Sequence, residues 1–237
     1  MLRHKNNRSA ATQIGNGSWY AGTMLFIYAV FFSYAYLSLE TGTGALILFG
    51  TVQITMISVG LMRGNKLNPQ EWIGVLIAFG GFTYLMLPSA STPSLSGFVL
   101  MLIAGIAWGL YTLAGRSSND PLGDTSFNFL RATPWLILLC AILVIQDSTL
   151  IDRVTHKGLI LAALSGGLAS GVGYTIWYMA LRGLSGVQAA VLQLLVPVIA
   201  TLGGILFAGE IISLQFILST ALVLGGILTV ILSRRGT

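Results

Sequence analysis

The chain has 237 residues, of which 12 are Lys or Arg and 7 are Asp or Glu, so only 8% are charged while 55% are hydrophobic and mean hydropathy is +0.84. Soluble domains carry about 25% charged residues, and so sparse a set cannot cover a water-facing surface, which excludes a soluble globular enzyme. Apolar dominance excludes a disordered chain, and the 29 glycines follow no three-residue period. What remains is an all-α polytopic membrane bundle.

Uninterrupted apolar stretches predict eight transmembrane helices at about 18–38, 43–62, 70–87, 97–115, 124–146, 158–181, 184–208 and 212–232, each near the roughly 20 residues that a bilayer demands. Residues 1–17 carry Arg3, Lys5 and Arg8 and lack a small-residue cleavage site, so they read as a short cytoplasmic tail, as do residues 233–237. The connectors hold the turn chemistry, among them Arg63-Gly64-Asn65-Lys66, Pro88 to Pro93, and Arg116 to Pro121. Asn68-Pro69-Gln70-Glu71 predicts a helix start: Asn68 as N-cap, Pro69 in the first turn, and Glu71 closing a capping box.

Charge placement predicts orientation. With the N-terminus inside, Arg3, Lys5, Arg8, Arg63, Lys66, Arg116, Arg131, Arg182, Arg234 and Arg235 fall on the cytoplasmic side, and only Arg153 and Lys157 on the other. An even number of spans returns both termini to the cytoplasm. The +5 net charge then meets anionic membrane lipids. No nucleic-acid partner is indicated, because no basic stripe is interleaved with stacking aromatics on a polar surface.

Enzyme chemistry finds no support. His4 and His156 both lie outside the spans, so no intramembrane zinc motif forms, and there is neither a Gly-x-Ser-x-Gly elbow nor a phosphate-binding lysine. No catalytic residue, metal site or cofactor is expected, and Cys140 reads as an apolar filler. Glu40, Glu71, Asp120, Asp124, Asp147, Asp152 and Glu210 all sit in connectors or at helix ends. Many coupled transporters place an ionisable group at mid-membrane; its absence here favours facilitated diffusion or exchange.

Solute recognition therefore falls to uncharged and aromatic side chains. Gln53 and Gln193 lie mid-span, and a buried amide either binds a solute or ties helices together. Gln193 shares helical spacing with Pro197, Ala200 and Gly204, and Pro197 either frees a backbone carbonyl or simply kinks its helix. Trp108 with Tyr111 and Tyr174 with Trp177 repeat a spacing of three, which suits an aromatic cavity lining or, equally, core packing. Asp124, Asn128, Arg131 and Trp135 share one helix face. Arg131 either attracts an anionic solute group or snorkels to the headgroups. Gly105–Gly109 and Gly167–Gly171 are GxxxG pairs, and Ala200–Gly204 is a variant, all suited to close helix packing.

Shifting the chain by 144 residues aligns Tyr34 with Tyr178, Gly42 with Gly186, Leu48 with Leu192 and Gly60 with Gly204, and one further residue brings Gly80-Gly81 onto Gly225-Gly226. Span 1 then corresponds to span 6. Equivalent helices cross in opposite directions, the inverted repeat that supports alternating access.

At this point the sequence resembles a known family. Gly97–Arg116 resembles the opening helix of an EamA domain of the drug/metabolite transporter superfamily, and Asn128-Phe129-Leu130-Arg131-Ala132 the start of its second helix. Tyr178-Met179-Ala180-Leu181, Gln188-Ala189-Ala190, Pro197, Gly209-Glu210 and Gly225-Gly226 are similar to the third to fifth helices. The resemblance implies a permease moving a small metabolite across a bacterial inner membrane. It also implies ten helices in two inverted fives, with both termini cytoplasmic. Here residues 18–87 supply a partial first repeat of three helices and 97–232 a complete second repeat of five. The expectation is that two helices precede this sequence in a longer product, or that a partner such as a second copy closes the gap. The alternative function is a membrane subunit that does not transport alone.

Overall fold

A computed structural model describes residues 16–150, 154–208 and 212–233. The tail arginines and lysines, Arg153, Asp152, His4 and Glu210 lie outside the described residues. Ten α-helices follow in chain order: α1 Trp19–Ala35, α2 Thr41–Met62, α3 Pro69–Met86, α4 Leu95–Gly115, α5 Pro121–Gln146, α6 His156–Ala163, α7 Gly173–Ala180, α8 Gly186–Leu192, α9 Leu195–Ala208 and α10 Leu214–Ser233. A π-helical stretch, Leu164–Val172, joins α6 to α7 into one continuous span. Seven helical runs are long and apolar enough to cross a membrane, and α1 adds a shorter apolar helix of 17 residues. The chain is an all-helical polytopic membrane bundle.

Local chemistry accounts for the helix starts. Asn68 accepts from the Glu71 amide at 2.8 Å while the Glu71 carboxylate accepts from the Asn68 amide at 3.0 Å, the capping box expected from sequence. Ser185 and Gln188 form a second box at α8. Ser18, Ser94 and Asp120 cap α1, α4 and α5. Pro197 explains the break between α8 and α9. A proline lacks the N–H that would bond the carbonyl four residues back and its ring clashes with that carbonyl, so the helix gives way at Gln193, whose carbonyl accepts from Val196 N instead. Pro134 does not break α5; one residue earlier, Thr133 Oγ1 donates back to the Phe129 carbonyl.

α3 and α10 form the most extensive helix pair, and glycine makes it. A Cβ on Gly226 would lie 2.4 Å from Ala78 N and 2.5 Å from the Gly74 carbonyl, and one on Gly81 would lie 3.0 Å from the Ser219 carbonyl and from Val223 N. The helices run antiparallel, since Gly74 meets Gly226 while Gly81 meets Ser219. Added to 74 and 81, the offset of 145 gives 219 and 226. Each contact is thus the other's mate under one exchange of the two helices. Gly80 and Gly225 also match each other, both facing open space.

α4 packs against α1 and α2. Gly105 meets Thr51 and Gly109 meets Thr55, as the GxxxG reading expected. The second GxxxG pair behaves otherwise. No residue from 154 to 177 is buried, Gly166, Gly167 and Gly173 face open space, and Gly171 meets only the Gly166 carbonyl of its own segment at 3.7 Å. Backbone spacing supplied the right residues there, but α5 only shares an open cavity with Gly166, Gly167 and Gly171 and packs no atom onto them. Ala200 is likewise exposed rather than packed.

Candidate solute-binding site

Four helices converge on a cluster of aromatic rings at mid-bundle. Trp108 of α4 lies 4.6 Å from Tyr28 of α1 and 5.0 Å from Tyr174 of α7, centroid to centroid. Tyr111, one turn along α4, lies 5.6 Å from Trp108, 6.2 Å from Tyr174 and 5.0 Å from Tyr178. Phe129 of α5 stacks on Tyr174 at 6.0 Å. The spacing of three within each predicted pair puts both rings of the pair on one helix side, and α4 and α7 turn those sides toward each other.

Beside the cluster lies a cavity of about 360 Å³, walled chiefly by Tyr28, Phe49, Trp108, Tyr174, Trp177 and Gln193. Gln193 sits at the helix break and is 3% exposed. Its Oε1 accepts from Trp108 Nε1, while its Nε2 faces the Met56 sulfur at 3.3 Å and the Ala189 carbonyl at 3.4 Å. Sulfur is a weak acceptor, so one of the two amide donors is only weakly held. Trp177 Nε1 donates to Thr112 Oγ1 at 3.4 Å. Gln53 is buried nearby in α2, where its Nε2 donates to the Ala190 carbonyl at 2.9 Å, tying α2 to α8. Its Oε1 has no hydrogen-bond partner among the described residues, and the side chain does not line the cavity.

A second, more polar cavity of about 450 Å³ opens at the N-terminal end of α1 and is lined by residues that include Arg63, Ser118, Asp124, Asn128 and Tyr178. Asp124 Oδ1 accepts from Gly17 N and Asn128 Oδ1 from Ser18 N, both at 2.9 Å, which staples the start of α1 onto α5. Gly17 has φ +56°, and a Cβ there would lie 2.6 Å from Asn128 Oδ1, so this junction requires glycine. Ser118 Oγ donates to Asp124 Oδ2 at 2.6 Å. Between the two cavities stand Tyr111, fully buried, and Tyr178, whose hydroxyl donates to the Tyr111 carbonyl at 3.2 Å.

Of the eight residues predicted from sequence, Trp108, Tyr174, Trp177 and Gln193 share the aromatic cavity, and Tyr111 backs it. Asn128 belongs to the polar cavity and Gln53 to a helix junction. Arg131 stands apart on the outer flank: its Nη1 donates to the Asn16 and Phe127 carbonyls, and Trp135 beyond it is exposed. Asp124 does not pair with Arg131, because its oxygens serve Gly17 and Ser118. Sequence reasoning missed Tyr28 and Phe49. For Tyr28 a signal was present, since Tyr28, Phe32 and Tyr36 recur every four residues and stack at 5.3 and 4.8 Å.

Solute-sized cavities between apolar spans are what an integral membrane transporter requires. Residues 95–232 match the EamA-like transporter family. An uncharacterized protein of Pseudomonas aeruginosa is 47% identical over 236 residues, which is 100% of this chain and 80% of the relative. The chain belongs to the EamA-like transporter family. Uncharacterized transporters of Archaeoglobus fulgidus and Clostridium kluyveri are 28% and 26% identical over 70% and 65% of this chain, and the matches span 58% and 49% of those proteins. A solved structure at 20% identity shares the fold, with a TM-score of 0.69 over 92% of this chain and 76% of that one.

Proposed function

We propose that the protein is a permease for a small uncharged or zwitterionic metabolite, which it holds in the aromatic cavity and passes by alternating access. The observation that carries this reading is the Trp108–Gln193 hydrogen bond at the wall of a cavity large enough for a small solute. Flat rings supply stacking surface, and the Gln193 amide supplies orientation. The polar cavity is the vestibule, and Tyr111 with Tyr178 is the barrier between the two. The paired α3–α10 contacts support an inverted duplication, in which one half rocks against the other about a central site. Among the described residues, no Asp, Glu, Lys, Arg or His lines the aromatic cavity, which favours facilitated passage or exchange.

The vestibule end carries Arg63, and Arg116 and Arg182 bond the neighbouring turns. The excess of basic residues at that end supports placing it in the cytoplasm. A second reading rests on residues 154–169, all exposed, where equivalence by 144 residues sets Gly166 opposite Gly22. A Cβ on Gly22 would lie 3.0 Å from the Asn128 carbonyl of α5, whereas Gly166 meets nothing. In this reading a helix pair equivalent to α4 and α5, from a partner or a longer product, must dock there before solute can cross.

The test is solute flux from liposomes loaded with amino acids, nucleobases and sugar derivatives, comparing the wild type with Gln193→Ala. Flux of one class that falls at least tenfold in the variant supports the site. Flux unchanged by Gln193→Ala refutes it, and wild-type protein inert toward every class favours the second reading.

A further inference from the structure

The outer flank of α5 carries a feature that solute passage leaves unused. Arg131 lies 10 residues beyond Pro121 in a helix whose outward residues from Thr133 to Leu138 are all exposed. An arginine on a lipid-facing surface is costly at depth, and the cost is relieved when the guanidinium reaches the headgroup level. It does so here: Nη1 donates to the carbonyl of Asn16, just before α1 begins, and to that of Phe127. Trp19 and Tyr20, 59% and 51% exposed, mark that same level as the interfacial aromatic belt. The guanidinium carbon lies 5.9 Å from the Trp19 ring centroid and 5.6 Å from that of Phe127.

This arrangement leaves one edge open. Both hydrogen bonds of Arg131 to the described residues leave from Nη1, so the side-on pair formed by Nε and Nη2 has no partner among them. That pair is the planar fork that takes two oxygens of one phosphate. Around it Trp19, Phe127, Leu130, Thr133 and Pro134 complete a groove of about 500 Å³. One turn beyond Pro134 on α5, Ile137 and Leu138 are each more than half exposed, which is a surface for an acyl chain and not for water.

We propose that this groove binds one anionic phospholipid, with its phosphate on the free edge of Arg131, its glycerol between the Trp19 and Phe127 rings, and a chain along α5. Charge complementarity selects the anionic lipid, and the continuous apolar track below selects a lipid over a soluble phosphate. The site holds α1 to α5 from outside, at the end where Asp124 and Asn128 hold them from inside.

The test uses the full-length protein in detergent, with phosphatidylglycerol, phosphatidylcholine or inorganic phosphate added. Native mass spectrometry reads bound lipid, and thermal unfolding reads stabilisation. Phosphatidylglycerol is expected to remain bound and to raise the melting temperature of the wild type. Arg131→Ala should weaken that retention about fivefold, the factor given by about 1 kcal/mol per interfacial basic group, and Arg131→Lys should restore only part of it. Leu130→Trp fills the groove from a position 63% exposed while keeping the guanidinium, so it should abolish retention without changing the melting temperature in phosphatidylcholine. Equal retention of phosphatidylcholine, equal stabilisation by inorganic phosphate, or undiminished phosphatidylglycerol on Leu130→Trp would each overturn the site.

Discussion

Replacing Gly226 by alanine adds one methyl group at the closest point of the α3–α10 pair. That carbon would lie 2.4 Å from Ala78 N, 2.5 Å from the Gly74 carbonyl oxygen and 2.7 Å from Ala78 Cβ. Two of these three are backbone atoms, which no rotamer change can move, so the helices must part by about an ångström to regain van der Waals separation. Overpacking of this kind costs about 1–3 kcal/mol, and a domain of this size loses about 2–4 °C of melting temperature per kcal/mol. Gly225 next to it faces open space. There alanine gains helix propensity, worth up to about 1 kcal/mol, and meets nothing. Thermal unfolding of the two purified variants in one detergent should therefore diverge: Gly226→Ala below the wild type, Gly225→Ala at or above it. Equal melting temperatures for the pair would refute the close approach and, with it, the reciprocal contacts of the two helices.

Further outcomes follow from the same geometry. Asn68→Ala removes the cap of α3 and should lower stability by about 1 kcal/mol, read by thermal unfolding. Arg116 donates through Nε and Nη2 to the Leu184 carbonyl at 3.0 and 2.7 Å; Arg116→Ala should cost about 1.5–3 kcal/mol and expose the turn after α7 to protease. Asn65→Cys, on the exposed turn beside Arg63, should react with an impermeant maleimide in inverted vesicles and not in intact cells. An imposed pH gradient should not drive solute accumulation in liposomes, and accumulation against it would show a coupling group that the aromatic cavity lacks.

Much of this architecture was legible because lipid imposes a blunt rule on composition. The eight apolar stretches return as seven helical runs long enough to span and one shorter apolar helix, with ends shifted by only a few residues, and Asn68 to Glu71 return as a formed capping box. Helix-by-helix spacing also found Trp108, Tyr111 and Tyr174 as rings that meet, and Trp177 as a further wall of the same cavity. What spacing could not supply was the side of the helix that faces lipid. In water a polar face announces itself; in a bilayer both faces are apolar, so spacing left Arg131 open between a solute and the headgroups, and Gln193 open between a solute and a neighbouring helix. The same ambiguity made Gly167–Gly171 read as a packing surface, like Gly105–Gly109, although only the latter meets another helix. The break at Gln193 lay four residues before the proline that causes it, and Phe49 entered the site only through tertiary placement.

Two turns at one end of the bundle are fastened twice over. Arg116 grips the carbonyl of Leu184, and Arg182 reaches back to the carbonyl of Asn119, so each turn lends an arginine to the other. Such cross-lacing cannot come undone one stitch at a time without leaving the second stitch strained. The two turns are thereby tied to each other at the end of the bundle where Arg63 lines the polar cavity.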